Sequence, residues 1–163
     1  MSVAFTKEGD SEAAAADLPD RPVSAYPNHV TASGLAALDR ALAAARAAYS
    51  EAQAAGDISA DRTAMARASR ELRYYTARRA SARLVNDNGA ADRASVCFGT
   101  RITLEHVDGR RQTFRIVGED EADPAAGLIA YVAPLARALL GKAVGDIARW
   151  NGKEIEVVAI EPA

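Results

Sequence analysis

Residues 31–55 read TASGLAALDRALAAARAAYSEAQAA, residues 56–59 read GDIS, and residues 60–85 return as ADRTAMARASRELRYYTARRASARLV. In the first run Leu35, Leu38, Leu42, Ala45, Tyr49 and Ala52 recur at spacings of three and four, which is the seam of a helix that packs along its length. Met65, Ala68, Leu72 and Tyr75 repeat the pattern in the second run. Gly56 falls where a helix ends in a left-handed residue, and Asp57 or Ser59 can cap the amides that open the next helix. The reading is an antiparallel helical hairpin, or coiled coil, over residues 28–86 with a carboxylate at its tip. At ~1.5 Å per residue, arms of about 25 residues make a finger of roughly 35–40 Å, too long to bury itself in a small core, so it is expected to project.

Thr31 is the expected N-cap of the first helix, which places Val30 and Leu35 at the two positions of a hydrophobic staple. His29 lies just outside that helix with no second histidine or cysteine nearby and reads as a surface residue. Ahead of it, residues 1–27 combine Glu8, Asp10, Glu12, Asp17 and Asp20 with an alanine run and three prolines. Such a segment lacks the large apolar groups that offset ordering entropy, and it reads as a disordered or loosely docked acidic arm.

The second helix is strongly basic, with Arg62, Arg67, Arg70, Arg73, Arg78, Arg79 and Arg83 against Asp61 and Glu71. Two readings stand side by side. The arginine stems cover the seam as a solvated face, or Arg67, Arg70 and Arg73 form a contact surface for an acidic protein groove or for nucleic-acid phosphates.

After the polar linker Asn86-Asp87-Asn88-Gly89, β-forming residues take over, and residues 94–163 read as a second domain. Strands are expected over 95–98, 101–107, 112–117, 128–132, 147–150 and 154–160. Asp108-Gly109 and Asn151-Gly152 are hairpin signals. Pro134 and Gly141 bracket a two-turn helix over 135–140. The fold class is α+β, with a small antiparallel sheet and one short helix across it.

Across 163 residues, 49% hydrophobic and 26% charged, the net charge of −2 supplies no global attraction to nucleic acid or to an anionic membrane. A single cysteine excludes an internal disulfide, and no run of about 20 apolar residues is present, so a cytoplasmic, membrane-independent monomer is expected. Cys97 reads as a strand-core thiol. Glu119, Asp120, Glu121 and Asp123 form an acidic cluster without calcium-loop spacing, either a hydrated turn before Pro124 or a lure for a cation or basic partner. No nucleophile motif, zinc spacing or phosphate loop occurs, so no self-contained active site is expected.

The order Val117-Gly118-Glu119-Asp120-Glu121-Ala122-Asp123, then Leu128-Ile129, then Ala133-Pro134-Leu135-Ala136-Arg137-Ala138-Leu139-Leu140-Gly141-Lys142 closely resembles the C-terminal domain of the Gre-type transcript cleavage factors over residues 96–161. The upstream hairpin with Gly56-Asp57-Ile58-Ser59 at its turn resembles the coiled coil of that family. The resemblance implies an FKBP-like C-terminal domain that docks on bacterial RNA polymerase, with Pro134, Leu135, Arg137, Asp120 and Asp123 at the polymerase-facing edge. It implies a coiled coil that reaches down the secondary channel toward the nascent RNA 3′ end. It further implies that Asp57 and Asp61 at the tip act catalytically in trans, as ligands to a magnesium ion shared with the polymerase active site. The factor then carries no cofactor of its own and is not itself an enzyme.

Departures from the family's pattern lie mainly in the finger. Where the family reads Gly-Asp-Leu-x-Glu-Asn, Ala60 stands at the glutamate and Asp61 follows it, turned by about 100° around the helix. Arms about a heptad shorter withdraw the tip by roughly 10 Å. Ala133 replaces a serine often found before the proline, which is a mild change. The expectation is a polymerase-binding elongation factor, nominally stimulating cleavage, with weak or absent cleavage in the wild-type protein. The alternatives are a short-fingered Gre-like regulator or inhibitor without cleavage activity, a peptidyl-prolyl isomerase suggested by the sheet alone, and a generic scaffold.

Overall fold

The computed structural model describes residues 18–55, 59–85 and 94–162. The chain divides into two compact units, one of Met1–Ala25 with Leu38–Ser81 and one of Tyr26–Ala37 with Ala82–Ala163. Of the disordered or loosely docked acidic arm expected over residues 1–27, residues 1–17 lie outside the described residues, as do the expected turn at 56–58 and the linker at 86–93.

In the first unit, helix α1 (Ala32–Ala55), which enters it at Leu38, and helix α2 (Ser59–Ser81) have 24 and 23 residues, about 36 and 35 Å at ~1.5 Å each. Leu38, Leu42 and Ala45 on α1 and Ala68 on α2 are buried, on the spacing that the seam predicts. Arg79 is ion-paired with Asp39. Helix α2 ends where the Ser81 hydroxyl folds back to donate to the Ala77 and Arg78 carbonyls, competing with continuation of the helix. Arg78, counted above with a basic face, is only 2% exposed. Its charge is therefore not part of that surface. Residues 18–25 lie against α2 through Asp20 and Arg21.

The second unit is built on a five-stranded sheet of β3 (Arg101–His106), β4 (Arg111–Val117), β5 (Leu128–Ala130), β6 (Ile147–Trp150) and β7 (Lys153–Glu161), in the order β5-β4-β3-β7-β6. Ile102, Leu104, Ile116, Ile129, Ala148, Ile155 and Val157 point into one core. Helix α3 (Pro134–Leu139) covers it with Leu135, Ala136 and Leu139. Burying each large aliphatic side chain contributes about 1.5–3 kcal/mol before conformational entropy is subtracted. The in-out alternation of β7 breaks at Val158, because the register against β3 shifts between Thr103 and Leu104; this bulge returns Ile160 to the core side.

Both hairpin signals form as their chemistry requires. Gly109 has φ +79°, closing a loop in which the His106 amide donates to the Arg110 carbonyl and the Gly109 amide to the His106 carbonyl. Asn151 and Gly152 both adopt positive φ, the pattern of a two-residue reverse turn with the twist of its strands. Helix α3 starts at Pro134 and is followed by Gly141 at φ +82°.

Three expectations need correction. The sheet is mixed rather than antiparallel, since β4 and β5 run parallel with Ile116 opposite Ile129. Two turns of 3₁₀ helix, Glu119–Glu121 and Pro124–Ala126, carry the chain back to the start of the sheet edge before β5 begins. Residues 95–98 form no strand; Ser95 makes one isolated bridge to Ala143, and Cys97 is half-buried beside it. His29 is no simple surface residue either. It lies in a short strand, β1 (His29–Val30), paired in parallel with β2 (Arg83–Leu84), and its ring stacks on Tyr131 at 5.3 Å between centroids with Phe98 edge-on at 6.0 Å. The Tyr131 hydroxyl donates to the Pro27 carbonyl at 2.6 Å.

Candidate functional site

The acidic motif following β4 does structural work in the second unit. Gly118 leads into the first 3₁₀ turn, and Glu121 then meets the start of α1. Its Oε2 accepts from the Thr31 hydroxyl at 2.5 Å and its Oε1 from the Ser33 hydroxyl at 2.6 Å. Thr31 is also the N-cap, its Oγ1 accepting from the Gly34 amide at 3.0 Å. One buried hydroxyl thus serves a helix terminus and a carboxylate together. Thr31→Ala removes both bonds and is expected to cost about 1–2 kcal/mol in thermal unfolding, with Thr31→Ser restoring most of it. An unchanged melting curve for Thr31→Ala would show that Glu121 and the helix start find equal partners elsewhere.

Asp123 is spent in a comparable way. Its Oδ1 accepts from the Ala125 and Ala126 amides at 3.1 and 3.4 Å, capping the second 3₁₀ turn whose first residue is Pro124. Asp120 is exposed in the first of these turns. Glu121 and Asp123 are therefore engaged by the protein's own donors, and among the described residues no group of three or more His, Cys, Asp or Glu side chains is arranged to hold a metal ion.

At the expected polymerase-facing edge, the residues separate. Pro134 and Arg137 are exposed on α3, whereas Leu135 is 7% exposed and packs into the sheet core. A two-turn helix lying on a sheet must turn one face inward, and its position one residue after Pro134 puts Leu135 on that face. Its side chain belongs to the core, not to the edge.

Along α2, Arg67, Arg70 and Arg73 follow at three-residue intervals and share a stripe. Arg67 is exposed, and Arg70 is half-buried with an Nε that has no hydrogen-bond partner among the described residues. Arg73 is exposed but paired with Asp20, at 2.6 Å from Nη2. Toward the turn, the alanines of both helices leave an open groove lined by Ala48, Ala52, Ala55, Ala64, Arg67 and Ala68, because methyl groups cannot fill the space between helix axes.

Asp57 lies outside the described residues, between the last residue of α1 and the first of α2. Asp61 is in the first turn of α2, and its side chain is likewise outside them. The sequence reading missed β1, the His29–Tyr131 stack and the Glu121 contact. A signal for the last existed in Thr31 and Ser33, two hydroxyls with one helix start to cap.

Comparison with known proteins supplies an independent view. Residues 91–162 match the family model described as transcription elongation factor, GreA/GreB, C-terminal. The chain is 36% identical over 125 residues to transcription elongation factor GreA of Ralstonia nicotianae, covering 70% of this chain and 79% of the relative. It is 38% identical over 133 residues to GreA of Hyphomonas neptunium, covering 72% and 83%. Against GreB of Pasteurella multocida it is 34% identical over 133 residues, covering 73% and 84%.

Proposed function

Because this chain belongs to the GreA/GreB family of transcription elongation factors, we propose that it binds bacterial RNA polymerase and acts through the secondary channel, with stimulated cleavage of backtracked RNA as its nominal activity. The observation that carries this reading is the similarity over 133 residues to relatives named as elongation factors, in a chain that contributes two helices of 24 and 23 residues with Asp57 between them in sequence.

In this reading Pro134 and Arg137 belong to the docking edge of the second unit, and α1 and α2 present the turn to the polymerase active centre. Asp57 and Asp61 are the residues that would hold the shared magnesium; both are carboxylates, the hard oxygen donors that this ion prefers. The ion supplies charge neutralisation and an activated water when bound there. The chain contributes ligands and position, and the polymerase contributes the rest of the site.

Capture of purified core RNA polymerase by the full chain, followed by a cleavage assay in stalled elongation complexes, tests both halves. Binding with magnesium-dependent shortening of the RNA supports the reading. Failure to bind removes it. Binding without shortening selects a second reading, a channel-occupying regulator, which Ala60 at the family's glutamate position favours.

The stripe on α2 makes a separate prediction. If Arg67, Arg70 and Arg73 meet an acidic surface of the polymerase, triple alanine substitution should weaken binding by about tenfold at low salt and flatten its salt dependence. Equal affinities at every salt concentration would return these arginines to a solvated face.

A further inference from the structure

Residues 18–22 read Leu-Pro-Asp-Arg-Pro, and the two central side chains both engage α2. Asp20 Oδ1 accepts from Arg73, 2.8 Å from Nε and 2.6 Å from Nη2. Arg21 places its guanidinium 3.6 Å from the centre of the Tyr74 ring and donates Nη1 to Glu71 Oε2 at 2.6 Å. Burial works against the Arg21 charge, but the Tyr75 and Glu71 side chains more than offset it and hold the guanidinium more firmly protonated. Glu71 is the single acid between Arg62 and Ser81. The segment thus meets α2 with an acid for its cation, a cation for its acid, and a cation for its aromatic face.

We propose that residues 18–22 are an intramolecular strap that competes with an acidic partner surface for the arginine stripe of α2, Asp20 holding the place at Arg73 that a partner carboxylate would take. This rests on the reading that the stripe meets RNA polymerase.

The physical case is one of matched weakness. Arg73 and Asp20 side chains are 56% and 66% exposed, and an exposed ion pair shifts an equilibrium only a few-fold. A guanidinium over a tyrosine at a partly exposed site adds a factor of similar size. Pro19 and Pro22 restrict the backbone on either side of the pair, which lowers the entropy lost on docking. A single-site partner would gain little by displacing such a strap. A surface with several carboxylates can displace it, and the strap then lowers the observed affinity by the factor with which it was held.

A test by charge removal alone would mislead, since Asp20→Asn favours an acidic partner with or without a strap. Tyr74→Leu takes away the anchor with no change in charge. The strap predicts that the full chain carrying Tyr74→Leu binds purified core RNA polymerase about three- to tenfold more tightly, with steeper salt dependence. Arg21→Gln is the second variant. It deletes a positive charge, so simple electrostatics predicts weaker binding to an acidic surface, while release of the strap predicts tighter binding. Unchanged or weaker binding in both variants overturns the strap. Affinity that does not respond to triple alanine substitution of Arg67, Arg70 and Arg73 overturns the stripe reading, and the strap with it. If the triple variant weakens binding and the two strap variants fail to tighten it, only the strap falls.

Discussion

Asp57→Asn should abolish RNA cleavage stimulated by this chain in stalled elongation complexes while leaving its affinity for core polymerase within about twofold. Asparagine keeps the size and shape of aspartate, and the two are equally favoured near helix starts, so the substitution adds no steric or conformational cost of its own. What is lost is the negative charge. Magnesium selects charged oxygen donors and surrenders its waters reluctantly, so an amide is a poor replacement, and a loss on the order of 100-fold or more in stimulated rate is expected. Asp61→Asn should cost activity too if that residue stands in for the family's glutamate, and Ala60→Glu should raise it above the wild-type rate. The wild-type rate is itself expected to be low, because the missing glutamate and the shorter arms act in the same direction. Robust cleavage in the Asp57→Asn, Asp61→Asn double variant would remove the tip from the mechanism.

Gly118→Ala should destabilise the second unit by about 2–3 kcal/mol, lowering its melting temperature by roughly 10–20 °C. The backbone at Gly118, φ −69° and ψ 165°, is one that alanine adopts without strain. The difficulty is space. A Cβ there would lie 2.4 Å from the His29 carbonyl oxygen and 3.6 Å from the Val30 Cα, both backbone atoms of β1. Strand β1 would have to shift, and with it the His29–Tyr131 stack and the Thr31 cap. Gly34→Ala offers the contrast. Its Cβ would meet Glu121 Oε2 at 2.5 Å, but that atom ends a flexible side chain, and alanine gains about 1 kcal/mol over glycine inside a helix. A smaller loss is expected there. Equal and negligible effects from both substitutions would show that β1 docks too loosely for the close approach to matter.

These two experiments address different layers of the molecule, and the layers differ in how visible they are in the residues. The helix pair, the Thr31 cap, the Asp108-Gly109 and Asn151-Gly152 turns and the limits of α3 were legible because each depends on interactions within about four positions along the chain. A cap needs a hydroxyl three residues from an orphan amide, and a positive φ needs glycine or asparagine. Such signals are present in any window that contains them. The motif Val117–Asp123 was equally legible as a mark of family, yet its chemistry in this protein was not. Only the tertiary structure decided that Glu121 would satisfy the hydroxyls of a helix start some ninety positions away in sequence, that Asp123 would cap its own turn, and that Leu135 would face inward. The same holds for the parallel direction of β5, the pairing of β1 with β2, the burial of Arg78 and the grip of Asp20 and Arg21 on α2. Strand residues encode which face is apolar but not which neighbour they meet or in which direction. Charged side chains encode an affinity for opposite charge but not which of several opposite charges will lie within 3 Å. Those choices are made by the packing of the whole chain.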